Sequence, residues 1–353
     1  MKIISLIGTR PQYIKEAVLG NELEKQGIKE ILVDSGQHYD ANMSGDFIKV
    51  LGMKKPYYNL GVGSDTHAKM TARIMVGFEN IVLKEKPKLI LVYGDTNTTL
   101  AGALVGAKLN IPIAHVEAGI RSLPKGAPEE INRTIADKVS TLLFCPSRLT
   151  VENLKKENIK TGVYFTGDVM YDLYLKMKPY FKNDLYKQLQ LKENNYVVLT
   201  LHRSYNVDDK MKLKKILQQF QKIVKKIKIV LPIHPRTKKR VEEFRLNNLL
   251  KDINVIEPVD YLNLMGLVQK SSLVITDSGG LQKEAYYARK HALVLMPDTG
   301  WRELINVGSN TLVNEDNISR HFFNNNFTTK KLNNVYGKGH SRKKITNCIK
   351  NIQ

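Results

Sequence analysis

Short runs of β-branched and other apolar residues alternate along the chain with longer amphipathic stretches. The runs are KIISLIG (2–8), KEILVDSG (29–36), KLILVYGD (88–95), IPIAHVE (111–117), LLFCPS (142–147) and VYFTGD (163–168). The pattern then restarts with YVVLTLH (196–202), KIVLPIH (228–234), INVIEP (253–258), LVITDSGG (273–280) and ALVLMPD (292–298). Apolar runs without polar alternation mark strands buried on both faces, which means parallel sheets covered by helices. Two successive sets of strand–helix units predict an α/β protein of two doubly wound, Rossmann-like domains, with the break inside residues 168–195. No low-complexity linker or short repeat intervenes, so the domains are expected to face each other across a cleft.

What ends these strands is informative, because ligands of open α/β sheets bind outside the carboxyl ends of strands. The first ends in Gly8-Thr9-Arg10-Pro11, with Pro11 suited to open a helix and Lys15 one turn further in. The second ends in Gly36-Gln37-His38-Tyr39-Asp40, the third in Gly94-Asp95-Thr96-Asn97, and the fourth in His115, Glu117 and Arg121. In the second half, His202-Arg203, His234-Pro235-Arg236 and Asp277-Ser278-Gly279-Gly280 follow strands. Each has a plainer reading. Asp95 before Thr96 reads equally as a helix cap, Glu129 and Glu130 after Pro128 as first-turn carboxylates favoured by the helix dipole, and His234 as a satisfied strand-end histidine. The joint pattern favours chemistry, since independent caps would not so consistently bring Arg, His and carboxylates to one sheet edge. Ser278-Gly279-Gly280 ahead of the helix LQKEAYYARK offers backbone N–H groups and a helix N-terminus to a phosphate, and Glu284 could accept hydrogen bonds from ribose hydroxyls. The GxGxxG and GxxxxGK[ST] patterns are absent, which argues for a nucleotide diphosphate held between domains and against a nicotinamide or ATP.

Composition narrows the partners. At 353 residues and 42% hydrophobic content the chain exceeds what one core usually supports. Fifty-five Lys+Arg against 34 Asp+Glu give +21, which favours an anionic partner. Much of that excess is Lys scattered through helix-like stretches such as KMKLKKILQQFQKIVKKIK (210–228), which reads as a solvated helix face or a lysine-rich composition bias. Without a basic arm, an aromatic RNA-binding motif or zinc-finger spacing, and with Trp301 the single tryptophan, nucleic acid is not an expected partner. Cys145 and Cys348 belong to no CxxC or Cys/His cluster, so neither a disulfide framework nor a metal is expected. The N-terminus enters a strand at once and no apolar run reaches spanning length, so the expectation is a cytoplasmic protein without membrane insertion.

The ordered set GTRPQ (8–12), GQHYD (36–40), YGDTNTTLAGAL (93–104), HVEAGIRS (115–122), PEEINR (128–133), GDVMYD (167–172), LHR (201–203), IHPRT (233–237) and TDSGGLQKEA (276–285) resembles the non-hydrolysing UDP-N-acetylglucosamine 2-epimerases. The resemblance runs through residues 1–310. It implies a GT-B architecture, with a first domain at 1–170, a UDP-binding domain at 171–338, and a C-terminal helix within 339–353 that crosses back to the first. It also implies a homodimer, a UDP-sugar substrate and no cofactor. The reaction implied is elimination. A base takes the C2 proton as UDP leaves C1, and UDP adds back to the 2-acetamidoglucal after protonation on the opposite face. Two faces need at least two proton-handling groups, each typically worth about 10² to 10⁴ in rate, and crowding of carboxylates suits such work by raising some of their pKa values. Matched motif by motif, Asp95, Glu117 and Glu129 are the acid/base set and His202 stabilises the departing diphosphate. Arg10, Ser278 and Gly279 would contact phosphate and Glu284 the ribose, with Lys15, His38, Arg203, His234 and Gly280 as further contacts to the UDP-sugar.

The chain departs from the family in two places. HRxEN becomes His202-Arg203-Ser204-Tyr205-Asn206, and RxxTEW becomes Met296-Pro297-Asp298-Thr299-Gly300-Trp301. Altered nucleotide or acyl-group contacts, or altered regulation, are expected there, with the carboxylates intact. GTRPQ, GQHYD and GDVMYD also resemble the branch that acts on UDP-2,3-diacetamido-2,3-dideoxyglucuronate, whose carboxylate would suit the positive charge. A hydrolysing epimerase, a GT-B glycosyltransferase and a non-catalytic nucleotide-sugar sensor are the other readings.

Overall fold

The computed structural model describes residues 1–36, 51–122, 126–324 and 334–352; His38 lies outside the described residues. The chain divides into two compact units, residues 1–177 with 334–353, and residues 178–333. In the first, the described strands are β1 Lys2–Ile7, β2 Lys29–Asp34, β3 Tyr58–Asn59, β4 Ile90–Tyr93, β5 Ile113–Val116, β6 Leu142–Cys145 and β7 Val163–Phe165. They pair in parallel in the order β3-β2-β1-β4-β5-β6-β7. The second unit holds β8 Tyr196–Thr200, β9 Lys228–Pro232, β10 Asn254–Ile256, β11 Leu273–Thr276, β12 His291–Leu295 and β13 Asn310–Val313. These are likewise parallel, in the order β10-β9-β8-β11-β12-β13. Each sheet therefore grows outward both ways from its first strand, as in a doubly wound Rossmann-like fold. The direction of growth reverses between β1 and β4 in one unit and between β8 and β11 in the other, where such folds open a crevice for ligands.

The apolar runs account for the layering. Residues 90–93, 113–116, 142–145 and 273–276 are buried throughout, as strands covered on both faces must be. Ile4, Leu6, Val33, Ile90 and Val92 pack with Ile74 and Phe78 in the first core, and Val197, Leu199, Ile229 and Ile275 with Ile216 and Phe220 in the second. Gly102 and Gly106 let the helix Asn97–Lys108 lie close on the sheet: a Cβ on either would press on Val92, or on Ile113 and Ile90. Among the described residues no helix is long and apolar enough to cross a membrane.

The motif GDVMYD anchors the end of the chain. Gly167 has φ +88°, and a Cβ there would come 2.7 Å from Tyr336 O, so only glycine lets the returning segment close in. Asp168 N donates to Tyr336 O (3.1 Å). Asp172 then receives the first N–H groups of the helix Ser341–Lys350, from Ser341 (3.1 Å) and Arg342 (3.0 Å), together with the Arg342 guanidinium. That helix packs on Arg10–Lys25 and Val169–Met177.

Beneath Arg10–Lys25, Glu16 and the β2 residue Glu30 are both held out of water and meet around Gly20, where a Cβ would strike Glu16 Oε1 and lie 2.7 Å from Glu30 Oε2. Ser5 Oγ donates to Glu30. Burial, and then the Glu30 charge, push the Glu16 carboxyl well above its ordinary 4.5, and burial raises Glu30. Both shifts are upward, so above pH 4.5 the native pair keeps a proton that the unfolded chain has shed, and stability falls as pH rises. Glu16→Gln supplies the shared hydrogen without titrating. Urea midpoints from pH 5 to 8 should show a slope shallower by up to about 1.4 kcal/mol per pH unit, the value for one proton, and a variant less stable than wild type at pH 8 would count against the shared proton.

Candidate active site

In the first unit the polar residues gather where β1, β4 and β5 end. Gln12 ties two turns together. Its Oε1 accepts from Gly8 N (2.9 Å) and Thr9 N (3.2 Å), and its Nε2 donates to Tyr93 O (2.7 Å), Thr96 Oγ1 (3.0 Å) and Thr99 Oγ1 (3.0 Å). The cap of the helix Asn97–Lys108 is Thr96, whose side chain accepts from Thr99 N, so Asp95 is not used for capping. Instead the Asp95 carboxylate forms a close ion pair with Arg133, and its carbonyl accepts from Asn132 Nδ2 (2.9 Å). Arg133 Nη1 also reaches Ser122 Oγ and Glu130 Oε2, both at 3.0 Å. Glu117 forms a close pair with Lys15, and both are buried. Asp95 and Glu117 thus each meet a cation, and Asp95 shares Arg133 with Glu130. Glu117 also has φ +76°, a left-handed conformation that costs a non-glycine residue of order 1–3 kcal/mol and is held where the surroundings over-determine it. Here Glu117 N and Ala118 N both donate to Phe144 O, each at 3.1 Å.

In the second unit the ends of β8 and β11 are joined through Asp277, which is fully buried. Its Oδ2 accepts from His202 N (2.9 Å), Arg203 N (2.8 Å) and Asn206 Nδ2 (3.2 Å), and its Oδ1 lies 3.0 Å from His202 Nδ1. Burial alone would raise this carboxyl, but the His202 ring and the two backbone N–H groups hold it below the ordinary range. The His234 ring lies 5.3 Å from that of His202, centroid to centroid, and its Nδ1 caps the helix Pro235–Glu243 by accepting from Arg236 N (3.1 Å). Loss of solvent on the packed face, then the neighbouring His202, lowers the His234 pKa. A ring nitrogen that accepts carries no hydrogen, so the His234 hydrogen sits on Nε2. Ser278 caps the helix Gly279–Tyr287, its Oγ accepting from Leu281 N (3.4 Å), and Glu284 lies one turn in.

A sequence profile of the UDP-N-acetylglucosamine 2-epimerase family matches residues 21–350. The chain belongs to that family. A homologue of UDP-N-acetylglucosamine 2-epimerase from Methanococcus maripaludis is 41% identical over 360 residues, covering 100% of both chains. The UDP-2,3-diacetamido-2,3-dideoxy-D-glucuronate 2-epimerase of Pseudomonas aeruginosa is 44% identical over 319 residues, covering 89% of this chain and 88% of that one. The crystal structure of the Methanocaldococcus jannaschii UDP-GlcNAc 2-epimerase in complex with UDP-GlcNAc and UDP superposes with a TM-score of 0.86 at 38% identity, covering 99% of each chain. The fold is thus GT-B-like, and the members of this epimerase family are isomerases.

Within this 2-epimerase family member, the residues singled out from sequence fall into distinct settings. Lys15 and Glu117 touch, Asp95 lies against Arg133, and His202 and His234 pack together. Arg203 and Ser278–Gly280 belong to the same second-unit turns. Arg10 is exposed at the first residue of its helix, and Glu129 is exposed in the first turn of the helix Pro128–Val139, whereas its neighbour Glu130 is buried and accepts from Ser122 N (3.0 Å). Sequence reasoning passed over Gln12, Asn132, Arg133, Asn206 and, as more than a first-turn carboxylate and a strand end, Glu130 and Asp277. All stand inside quoted motifs, and the signal was a polar residue on the buried face of an element. The departures are absorbed locally. Gln282 Nε2 reaches Met296 Sδ (3.1 Å) and its Oε1 accepts from Thr299 Oγ1 (2.7 Å), while Lys283 Nζ stands 3.8 Å above the Trp301 ring. Tyr205 lies beneath Lys212, and burial pushes its hydroxyl up to about 12. Among the described residues no cluster of three or more His, Cys, Asp or Glu could hold a metal ion.

Proposed function

We propose that this protein catalyses the non-hydrolysing 2-epimerisation of UDP-N-acetylglucosamine to UDP-N-acetylmannosamine, supplying precursors for surface polysaccharide or other glycans. The observation that carries the reading is the placing of Asp95 and Glu117 beyond the adjacent strands β4 and β5, each with a cation beside it. In the elimination step a carboxylate takes the C2 proton, the C2–H electrons become the C1=C2 bond, and UDP leaves with the C1–O pair. Reversal with the proton delivered to the other face completes the inversion, and the cycle is redox-neutral. Asp95, Glu117 and Glu129 handle protons, and His202 donates to the diphosphate as it departs. Arg10, Lys15, His38, Arg203, His234 and the Ser278–Gly280 turn hold the UDP-sugar, with Glu284 on the ribose. A Cβ on Gly280 would meet nothing within 4 Å, so the protein's own packing does not call for glycine there, and close approach of a phosphate does. On this reading residues 1–170 supply the carboxylates, residues 171–338 hold UDP, and the enzyme works as a cytoplasmic homodimer.

A second substrate is favoured by a specific observation. The Pseudomonas aeruginosa relative, 44% identical, is named for UDP-2,3-diacetamido-2,3-dideoxy-D-glucuronate, and the same chemistry applies at C2 of that sugar. Proton NMR of UDP-N-acetylglucosamine with the protein in D₂O distinguishes the two. Deuterium at C2 with a new manno anomeric signal and an intact UDP linkage is expected. Exchange with the diacetamido uronate alone would move the assignment to that sugar, and silence with both would overturn the epimerase reading.

A further inference from the structure

We propose that His115 is a positioning residue, a buried ring that donates from both nitrogens and thereby locks together the turn bearing Asp95 and the turn bearing Glu117. The ring stands on β5 with no exposed surface. Its Nε2 lies 2.7 Å from Gly94 O and its Nδ1 2.7 Å from Asp137 Oδ1. A carbonyl and an ionised carboxylate can only accept, so each ring nitrogen faces an acceptor. The surroundings hold Asp137 as that acceptor. Burial would raise Asp137, but His115 and Arg121 hold it below the ordinary carboxylate range. Its second oxygen already accepts from Gly119 N (3.1 Å) and Arg121 Nη1 (2.8 Å). Arg121 is fixed in turn by Glu157, through two contacts of 2.7 Å. Cys145 on β6, which interacts with the same Asp137 and Arg121, is a thiol that burial pushes up to about 12; the Lys15–Glu117 pair lies close to Gly94.

Each side of the ring serves a different carboxylate. Gly94 directly precedes Asp95, and its N–H is bonded to Val116 O (3.0 Å), so the His115 hydrogen bond pins the other polar group of the same residue. Through Asp137 the ring also closes the turn after the left-handed Glu117, at Gly119. Without the strut, Asp95 and Glu117 are free to shift relative to each other, and a displacement of about 1 Å can cost about 10² in rate. This role rests on the reading of Asp95 and Glu117 as proton-handling groups; the two hydrogen bonds of the ring do not.

The test is long-range ¹H–¹⁵N NMR of protein labelled with ¹⁵N-histidine. Of the eight histidines, one is expected to show slowly exchanging hydrogens on both ring nitrogens, and that signal should vanish in His115→Gln. If no such ring persists in the wild-type spectrum, the proposal is overturned whether or not any variant folds. In steady-state assays folded His115→Gln should lose about 10- to 100-fold in kcat with KM changed less than about threefold. An unchanged kcat would sink the positioning role. A wild-type protein inactive on both candidate sugars would instead count against the proposed function and leave the NMR result standing.

Discussion

Glu117→Gln should slow solvent-deuterium incorporation at C2 by about 10² to 10⁴, the usual value of one placed acid or base. Gln keeps the shape and the left-handed backbone but cannot take a proton. The substitution also leaves the buried Lys15 ammonium without its counter-charge, and breaking a buried pair from one side costs about 3–5 kcal/mol. Part of any loss in a crude assay could therefore be unfolding. Lys15→Met combined with Glu117→Gln removes both charges and should recover most of the stability while leaving exchange as slow. Urea melts and exchange rates on the two variants separate the effects. If the double variant is folded and exchanges within about tenfold of wild type, Glu117 is not the group that moves the proton.

Eleven strands were legible from sequence as apolar runs; β4, β5, β6 and β11 are buried throughout, while β7 and β10 are only partly covered. β3 escaped because two residues carry no period, and β13 because Asn310 and Thr311 break the apolar run of NTLV. Single-residue roles were harder where several residues had the right chemistry. Asp95, Thr96 and Asn97 are all good helix caps, and only the backbone decides that Thr96 caps, which leaves Asp95 to Arg133. Asp277 stood out as a strand-end acid, but its grip on His202, 75 residues away, follows from β8 and β11 being neighbours, a pairing that local patterning does not encode. GDVMYD was visible as a motif, yet Asp172 works by capping a helix 169 residues away. What could be read was therefore whatever is periodic or local. What could not was whatever depends on the strand order.

That grip on His202 gives the second large expected effect. In Asp277→Asn the amide oxygen can replace Oδ2, keeping the hydrogen bonds from His202 N, Arg203 N and Asn206 Nδ2, so the turn should hold. The amide nitrogen then takes the place of Oδ1, opposite His202 Nδ1. It can only donate, which forces Nδ1 to accept and leaves the ring hydrogen on Nε2, so the ring can still donate to the diphosphate but loses the carboxylate that orients it. Removing a single donor to a developing anion costs about 10² to 10³, an upper bound for misplacing one. Asp277→Asn should therefore lower kcat by about 10 to 10³. UDP should still bind within about threefold of wild type by calorimetry, because Ser278 and the glycine turn are untouched. A His202→Ala change should cost a similar factor, and the two together little more, since both remove the same hydrogen-bonded unit. Additive losses would mean that Asp277 and His202 act separately. A variant with weakened UDP binding and unchanged turnover would place Asp277 in ground-state binding, with no part in the departure of the diphosphate.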